Sequence, residues 1–482
     1  MNKNTYKDIA RSNIVFGSVK ILQMLIQLAK IKIVAIILGP MGMGFQSILT
    51  SSINTIYQFT CLGLPQSTVR EISTHDECDK KSMIINIVRR FYCIVGIIAC
   101  FLTILFRKYL SIAAFGTDQY SWMFLIISFA VFLEIATNIE LAFLQGYRLV
   151  KELARASLIG SILSLLLSLP FYYYWKTQGI PYGITIGYFA TAVIYYLCCK
   201  RNIKHRHIPK KEEILHTIKS VVNLGIALML SNCIMSLFGF LLNMYINRTG
   251  TTEDVGFYNA SVTSTYYTIS ILTSVLASDF YPRLSSKIYD KNASKDLLNS
   301  QLELLLFVIS PIVSIMIAVP SLLIFILFSS DFSPIKETIQ LMSISLIFRI
   351  VWHSLSYVIL AKGDKVTFLI VDAIIGNGIF FICNLLGYMF CNLSGIAYSY
   401  IFGSFLVMAI LYFTCRFKYG ITLNYKGIKT LGIVLIANIL LLIIKNLNCT
   451  VFIQIILICA ILLYSFFQLN KRLGIISYEK KR

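Results

Sequence analysis

The chain has 482 residues, of which 57% are apolar and only 13% charged, and its formal net charge is +21. A mean hydropathy of +0.75 excludes a soluble globular domain and indicates a polytopic membrane protein that is all or nearly all helix. The cations lie in short loops between apolar runs, which is the positive-inside pattern and not a nucleic-acid-binding patch. The 12 cysteines form no CxxC pair and no Cys/His cluster, so neither a disulfide framework nor a metal site is expected.

Fourteen apolar runs are long enough to cross a bilayer as helices. They lie at about residues 12–38, 43–65, 85–106, 121–145, 154–175, 180–199, 218–247, 256–281, 302–328, 335–361, 366–390, 394–415, 427–446 and 450–469. The first run is too long for a cleavable signal peptide and has no small-residue cleavage site after it. The predicted fold is therefore an all-α polytopic membrane protein of about 14 transmembrane helices.

The first span combines the length of a membrane helix with one polar and basic face. At about 100° per residue its polar positions fall within an arc of about 140°. A Lys that faces lipid at mid-membrane depth costs about 2.5 to 3.5 kcal/mol, so this face is expected to line a cavity, although snorkelling to the interface is the alternative for a lysine. The face holds Asn13, Gly17, Lys20, Gln23, Gln27 and Lys30. The candidate cavity residues are Lys20, Gln23, Gln27 and Lys30, and the two cations among them favour an anionic passenger.

The fourth span carries Glu134, Asn138 and Gln145 on one face. Asn138 is a candidate cavity residue. Two interpretations of Glu134 stay open: it is a proton-coupling acid, or it is the structural partner of Lys20, Lys30 or Arg349.

The seventh span has a neutral polar face that falls within an arc of about 80°. Its members are Gly225, Asn232, Ser236, Gly239, Asn243 and Asn247. Asn232 and Asn243 are candidate cavity residues, but Gly, Ser and Asn also form tight helix–helix contacts in membranes, and both interpretations stay open.

The tenth span places Ser345, Arg349, His353 and Ser356 on one face. An Arg stays charged, so Arg349 is expected to face water, an acid or an anionic ligand. His353 is either a proton-responsive neighbour or a packing residue. Asp372 in the eleventh span has the same two interpretations as Glu134.

The cations are distributed very unevenly between alternate loops. The two termini and one set of loops hold about 33 of them, and the opposite loops hold about six. These six are Arg107, Lys108, Lys176, Arg248, Lys336 and Lys445. Both termini are therefore expected in the cytoplasm.

The chain also repeats itself, at offsets of about 212 to 217 residues. Residues 39–45 resemble residues 250–257, and residues 144–148 resemble residues 361–365. Two six-helix halves of the same orientation predict pseudo-symmetric lobes around a central cavity, as in transporters built from parallel repeats; chance similarity between Gly-rich loops is the alternative. The predicted parts are an N-terminal lobe (1–200), a cytoplasmic linker (201–219), a second lobe (220–418) and an appended helical hairpin with a basic tail (419–482).

Nothing in the sequence indicates an active site. It has no Walker A motif and no paired-carboxylate or Ser/His/Asp arrangement that can be placed together, so we predict neither an enzyme nor a cofactor. Amides and hydroxyls inside the membrane suit a polyhydroxylated passenger, and Lys and Arg suit phosphate.

Several short motifs resemble those of a known family, most clearly over residues 12–75. They are Ser12-Asn13, Gly17, residues 32–40, residues 42–44, residues 62–65 and residues 69–72, with further matches at residues 144–146 and 280–284. In these the chain resembles the Wzx-type translocases of O-antigen and enterobacterial common antigen, which belong to the multidrug/oligosaccharidyl-lipid/polysaccharide (MOP) exporter superfamily.

This resemblance implies a V-shaped, two-lobed bundle that works by alternating access in the bacterial inner membrane. The implied cargo is an undecaprenyl-diphosphate-linked oligosaccharide, such as an O-antigen unit for lipopolysaccharide, moved from the cytoplasmic to the periplasmic leaflet. Its diphosphate carries about two negative charges, which fits a cationic cavity. Partners besides the cargo are membrane lipids, with a polysaccharide polymerase and a chain-length regulator as candidates.

Two alternatives remain open. A cation-coupled multidrug exporter of the same superfamily uses acids in its cavity; the first span has Lys where an acid would serve, but Glu134 and Asp372 are available. A membrane polysaccharide polymerase is expected to need a sizeable outer loop or clustered reactive residues, and the outer loops are short.

Overall fold

The computed structural model describes residues 3–61, 63–74, 77–203, 211–276, 280–447 and 451–473. Within these ranges, the side chains of residues 3–21, 211–217 and 219–229 and of a few single positions lie outside the description. The described residues fold almost entirely into helices, which confirms the predicted all-α polytopic membrane protein.

The chain divides into two compact units. The first comprises Met1–Gly256 and Leu327–Ser329, and the second comprises Phe257–Ile326 and Ser330–Arg482. The helices up to this division are α1 (Lys3–Cys61), α2 (Leu64–Thr74), α3 (Cys78–Leu105), α4 (Arg107–Phe115), α5 (Ser121–Gly146), α6 (Val150–Asn202) and α7 (Lys211–Thr249). The predicted lobe boundaries at residues 200, 219 and 418 stay a prediction.

The division falls within α8 (Thr252–Val275), and the remaining helices belong to the second unit, apart from Leu327 at the end of α11. They are α9 (Tyr281–Lys287), α10 (Lys291–Ala318), α11 (Pro320–Leu327), α12 (Lys336–Ala361), α13 (Lys365–Thr367), α14 (Asn377–Thr414), α15 (Tyr425–Asn446) and α16 (Val451–Leu473). A 3₁₀ turn covers Ser330–Ile335, and π-helical segments cover Phe368–Gly376 and Cys415–Tyr419.

Three of the long apolar helices each contain two predicted spans. Of the described helical stretches, nine are long and apolar enough to cross a membrane. Those covering Leu22–Cys61, Val150–Arg201 and Lys365–Tyr419 are interrupted at Gly39, at Lys176 and at Cys391 with Asn392. Helices α7 and α8 overlap the predicted seventh and eighth spans, so each of the fourteen predicted spans overlaps a helix among the described residues.

The helix breaks recur along the chain with the predicted repeat. Breaks at Gly39, Phe106 and Lys176 are followed, about 212 to 215 residues later, by breaks at Thr251, Val319 and Cys391. Three helix breaks therefore follow one another with similar spacing in the two halves of the predicted repeat.

One pair of repeat-related glycines makes a reciprocal contact in the first unit. A Cβ atom on Gly44 would lie 1.8 Å from the carbonyl oxygen of Thr252, and a Cβ atom on Gly256 would lie 2.0 Å from the carbonyl oxygen of Pro40. Pro40 and Thr252 are themselves equivalent in the repeat. The helical hairpin that turns at residues 39–45 and the one that turns at residues 250–257 therefore each place a glycine against the other hairpin's backbone. Such a mutual contact is typical of surfaces related by two-fold symmetry.

In the second unit, the C-terminal hairpin of α15 and α16 packs on α10 through buried polar contacts. The Asn438 side chain is fully buried; it accepts a hydrogen bond from Ser314 Oγ at 2.8 Å and donates one to Ser310 Oγ at 3.1 Å. Arg472 on α16 forms an ion pair with Glu303 on α10. Polar contacts of this kind favour one particular packing of membrane helices, because lipid offers the polar groups no alternative partner.

Candidate functional site

The first unit contains a polar cavity of about 260 Å³ among helices that cross the membrane. Its wall is formed by α1 and α6 and consists of Gln27, Lys30, Gln46, Thr50, Ser164, Tyr172, Ile184, Gly187, Tyr188 and Thr191. Two predicted residues of the basic face, Gln27 and Lys30, therefore line one cavity. Position 187 leaves little room for a side chain, since a Cβ atom on Gly187 would lie only 2.7 Å from Ser164 Oγ.

The Lys30 ammonium group is the cation of this cavity. Its Nζ atom donates a hydrogen bond to Ser164 Oγ at 3.5 Å. Among the described residues, no carboxylate forms an ion pair with Lys30. A positive charge that donates to a neutral hydroxyl group, in a cavity that amide side chains also line, is well placed to bind an anion.

Glu134 lies next to the cavity without pairing with Lys30. Its carboxylate interacts with Tyr188, which is part of the cavity wall. The Oε2 atom of Glu134 is buried and has no hydrogen-bond partner among the described residues. No described contact pairs Glu134 with Lys30, so the interpretation of Glu134 as the structural partner of Lys30 gains no support. The interpretation of Glu134 as a proton-coupling acid stays open.

The other candidates in this unit have different surroundings. Asn138 donates a hydrogen bond to the Glu134 carbonyl oxygen at 2.9 Å within α5. Gln23 and Asn232 are partly exposed, whereas Asn243 is only 4% exposed. The side chain of Lys20 lies outside the described residues.

Part of the polar face of α7 forms helix–helix contacts. Thr55 Oγ1 donates a hydrogen bond to the Ser236 carbonyl oxygen at 3.1 Å. Asn247 Nδ2 donates one to the Ala114 carbonyl oxygen at 3.1 Å. These contacts favour the packing interpretation for this stretch of α7, while Asn232 and Asn243 stay predictions as cavity residues.

The second unit brings Arg349, His353 and Asp372 into one cluster around Trp352. Trp352 Nε1 donates a hydrogen bond to Asp372 Oδ1 at 2.7 Å, and Ser356 Oγ donates one to the same oxygen at 2.7 Å. The ring of His353 stacks on that of Trp352, with centroids 5.5 Å apart. Asp372 therefore accepts hydrogen bonds from neutral donors on α12.

Aromatic side chains complete this cluster. The Arg349 guanidinium lies over the ring of Phe380 at 5.7 Å, and Phe380 contacts the ring of Tyr400. The hydroxyls of Tyr400 and Tyr258 are 3.3 Å apart. Asp372 lies in the π-helical segment Phe368–Gly376, and such segments are frequent at functional sites.

Sequence reasoning missed a buried ion pair in the first unit. Arg89 donates to both oxygens of Glu140 at 2.7 Å, and Tyr92 donates to Glu140 at 3.2 Å. The Arg89 guanidinium also lies over the rings of Phe143 and Tyr196. This pair joins α3 to α5 and has its charges matched internally, so it belongs to the framework. No group of three His, Cys, Asp or Glu residues in the described ranges could hold a metal ion.

The fold is shared with transporters of the MOP superfamily. Lipid II flippase MurJ in an inward closed conformation superposes with a TM-score of 0.67 at 15% identity, covering 96% of this chain and 100% of that chain. An inward-facing multidrug resistance MATE family transporter gives a TM-score of 0.68 at 15% identity, with coverage of 84% and 98%.

A third similar structure is a MOP superfamily transporter from Pyrococcus furiosus Vc1, for which the reverse polarity of the binding pocket suggests a different function. It gives a TM-score of 0.59 at 14% identity, covering 85% of this chain and 95% of that chain. No curated protein matches the chain by sequence. The family described as polysaccharide biosynthesis protein matches residues 33–337. This match spans more than half of the chain, which therefore belongs to the polysaccharide biosynthesis protein family.

Proposed function

We propose that this membrane protein translocates undecaprenyl-diphosphate-linked oligosaccharide repeat units, of O-antigen or a similar surface polysaccharide, from the cytoplasmic to the periplasmic leaflet by alternating access. The observation that carries the proposal is the cavity around Lys30. It offers one ammonium group together with amide and hydroxyl side chains, inside helices that cross the membrane. Phosphate groups and sugars need these two kinds of partner.

Membership of the polysaccharide biosynthesis family and the likeness to a lipid II flippase support the same proposal. A membrane potential that is negative inside assists outward movement of an uncompensated anion by about 2.3 kcal/mol per charge per 100 mV. The bacterial inner membrane, cytoplasmic termini and partnership with a polymerase or a chain-length regulator belong to this proposal too.

Complementation tests the proposal. In a strain without its own repeat-unit flippase, Lys30→Gln should lower surface glycan about 10- to 100-fold, because the charged partner of the diphosphate is lost. Lipid-linked intermediate should accumulate on the cytoplasmic face. Arg349→Gln is tested alongside, and Lys108→Gln is the matched control because it removes one exposed cation outside the cavity.

Membrane levels of all variants are matched before glycan is measured. Full surface glycan in the Lys30→Gln variant would contradict a role for this cation in cargo handling. If the wild-type chain restores no surface glycan, whichever lipid-linked intermediate the strain makes, the proposal that this protein is a flippase would be contradicted.

A cation-coupled multidrug exporter is the second candidate. The buried Glu134 Oε2 atom without a described partner favours it, and so does the likeness to MATE transporters. This alternative expects Glu134→Gln or Asp372→Asn to abolish drug resistance in an efflux-deficient strain, with Lys30→Gln active. The flippase proposal expects none of these variants, nor the wild type, to confer resistance.

A further inference from the structure

The second unit contains a larger cavity, of about 800 Å³, at the ends of its helices. It lies where α10 and α15 end and where α12 begins, with Pro320 and Ser321 of α11 at its edge. Loop charge predicts this end of the helices to be on the outer side of the membrane. The cavity is distinct from the site around Lys30, which lies in the other unit.

Two cations line this outer cavity. Lys336 is in the first turn of α12 and Lys445 is in the last turn of α15, and Glu337 is the carboxylate beside them. Cations are generally rare in the outer loops of a membrane protein, and the loops on the predicted outer side of this chain hold only about six Lys and Arg residues. Two of these six therefore meet at one cavity, which indicates an anionic ligand.

The remaining polar wall suits a hydroxylated ligand. Gln340 is buried and donates a hydrogen bond to the Ile317 carbonyl oxygen at 2.7 Å, so its side chain is held in position. Ser321, Ser333 and Asn446 add hydroxyl and amide groups. Tyr398 is 59% exposed and presents a flat ring at the cavity. The volume is in the range of ligand sites and far exceeds the needs of a single ion.

We propose that this outer cavity binds the phosphorylated saccharide end of the lipid-linked cargo at the outer face. Lys336 and Lys445 contact the phosphate or an acidic sugar, while the amide and hydroxyl groups contact sugar hydroxyls. The inference rests on the proposed function, since it assigns the same cargo a second site. It also gives the C-terminal hairpin a role, because Lys445 and Asn446 of α15 form one wall of the cavity.

Thiol protection at the cavity tests the inference. The full chain carrying Ser321→Cys is reacted with maleimide in detergent, and modification is read from the peptide that contains position 321, so native cysteines do not interfere. Lipid-linked oligosaccharide extracted from the source cells should slow this reaction at least fivefold. Phosphatidylglycerol, the second probe, supplies a lipid phosphate with a short polyol and should change the rate less than twofold.

Paired variants identify the groups responsible. Protection should disappear in Lys336→Gln/Lys445→Gln and persist in Lys336→Arg/Lys445→Arg. It should also persist in Arg107→Gln/Lys108→Gln, which removes the same charge from another part of the predicted outer side. Equal protection by phosphatidylglycerol, or protection that survives Lys336→Gln/Lys445→Gln, would overturn the inference.

The outcome is separable from that of the proposed function. A chain that complements the flippase-deficient strain but shows no protection at position 321 overturns the inference alone. Protection at position 321 in a chain that does not complement supports the saccharide site and counts against the flippase.

Discussion

Charged side chains among the helices of the first unit have two different kinds of partner. The Glu140 carboxylate is 1% exposed and accepts paired hydrogen bonds from Arg89. Lys30 has a serine hydroxyl as its described partner. An internally matched pair holds helices together, whereas a cation with a neutral partner keeps its attraction for an anionic ligand.

Replacing Glu140 by Gln should strongly destabilise the protein. Removing one member of a buried ion pair costs about 3 to 5 kcal/mol because the other charge stays buried. The measurement is the melting temperature in detergent. Glu77→Gln is the control, because its pair with Lys80 is exposed on both sides and such pairs contribute about 0 to 1 kcal/mol. Equal melting temperatures for the two variants would contradict the assignment of Glu140 to the framework.

Asp364 lies in the turn between α12 and α13, before the next membrane span begins, and joins that turn to α13 and to the π-helical segment Cys415–Tyr419. It accepts hydrogen bonds from Lys418 Nζ at 2.6 Å, Thr367 N at 3.0 Å and the Tyr419 hydroxyl at 3.0 Å. The hydrogen bond from Lys418, followed by those from Thr367, holds the pKa of the Asp364 carboxyl well below its ordinary value. The carboxylate is therefore the form that the folded protein favours.

A pH titration of the Asp364→Asn variant follows from this pKa. Because the folded-state pKa is lowered, the stabilisation is fully present above the ordinary Asp value of about 3.9 and is lost as the pH falls below it. The melting temperature of the wild type should exceed that of Asp364→Asn at pH 7, and the difference should shrink below about pH 4. Asp296→Asn, an exposed position on α10, is the control, and a difference that grows on acidification would contradict the expected sign.

The sequence predicts which site residues lie together when they are on the same helix. It does not predict which residues of different helices meet. Helical periodicity alone groups Gln27 with Lys30 and Arg349 with His353. It does not predict Ser164 or Tyr188, because these residues reach the cavity only through the packing of α6 on α1. The pair of Arg89 and Glu140 was missed for the same reason, since its members lie on different helices.

At the scale of elements, helix positions were predicted well and helix continuity was not. Apolar runs of about 20 residues locate spans reliably because the thickness of the bilayer sets their length. Separate spans were expected on either side of residues 39–42 and 176–179, yet α1 and α6 each continue across a single non-helical residue. A break of one residue leaves no loop-like composition to detect, although Gly39 before Pro40 is a recognisable break signal.

The reciprocal glycine contact is the clearest product of the internal repeat. Gly44→Ala should destabilise the protein by about 1 to 3 kcal/mol, as overpacking does, because the new methyl group would overlap the Thr252 carbonyl group. Gly256→Ala should behave alike through Pro40. Melting temperature and the monodisperse fraction in detergent provide the measurement.

Gly239→Ala is the control for this prediction, because apart from its chain neighbours and the adjacent backbone of its own helix nothing lies within 4 Å of the position of its new methyl group. It should be neutral or slightly stabilising in a helix. A Gly44→Ala variant that melts at the wild-type temperature would show that the two hairpins can separate without cost.

For the whole molecule, the uneven loop charge makes a prediction about orientation. Green fluorescent protein fused after Arg482 should fluoresce, because it would stay in the cytoplasm. Alkaline phosphatase fused after Leu447, which follows α15, should be active because it would be outside. The reverse pattern would place Lys336 and Lys445 in the cytoplasm and would contradict the outer position of the larger cavity.

The ion pair between Glu303 and Arg472 also has a consequence for biosynthesis. The chain is made from its N terminus, so Glu303 on α10 enters the membrane about 170 residues before Arg472 exists. At about 5 to 20 residues per second, its carboxylate spends roughly 10 to 30 s without this partner. This contact within the second unit therefore forms only once α16 has been synthesised, and a chain that terminates before α16 leaves the buried carboxylate of Glu303 without this partner.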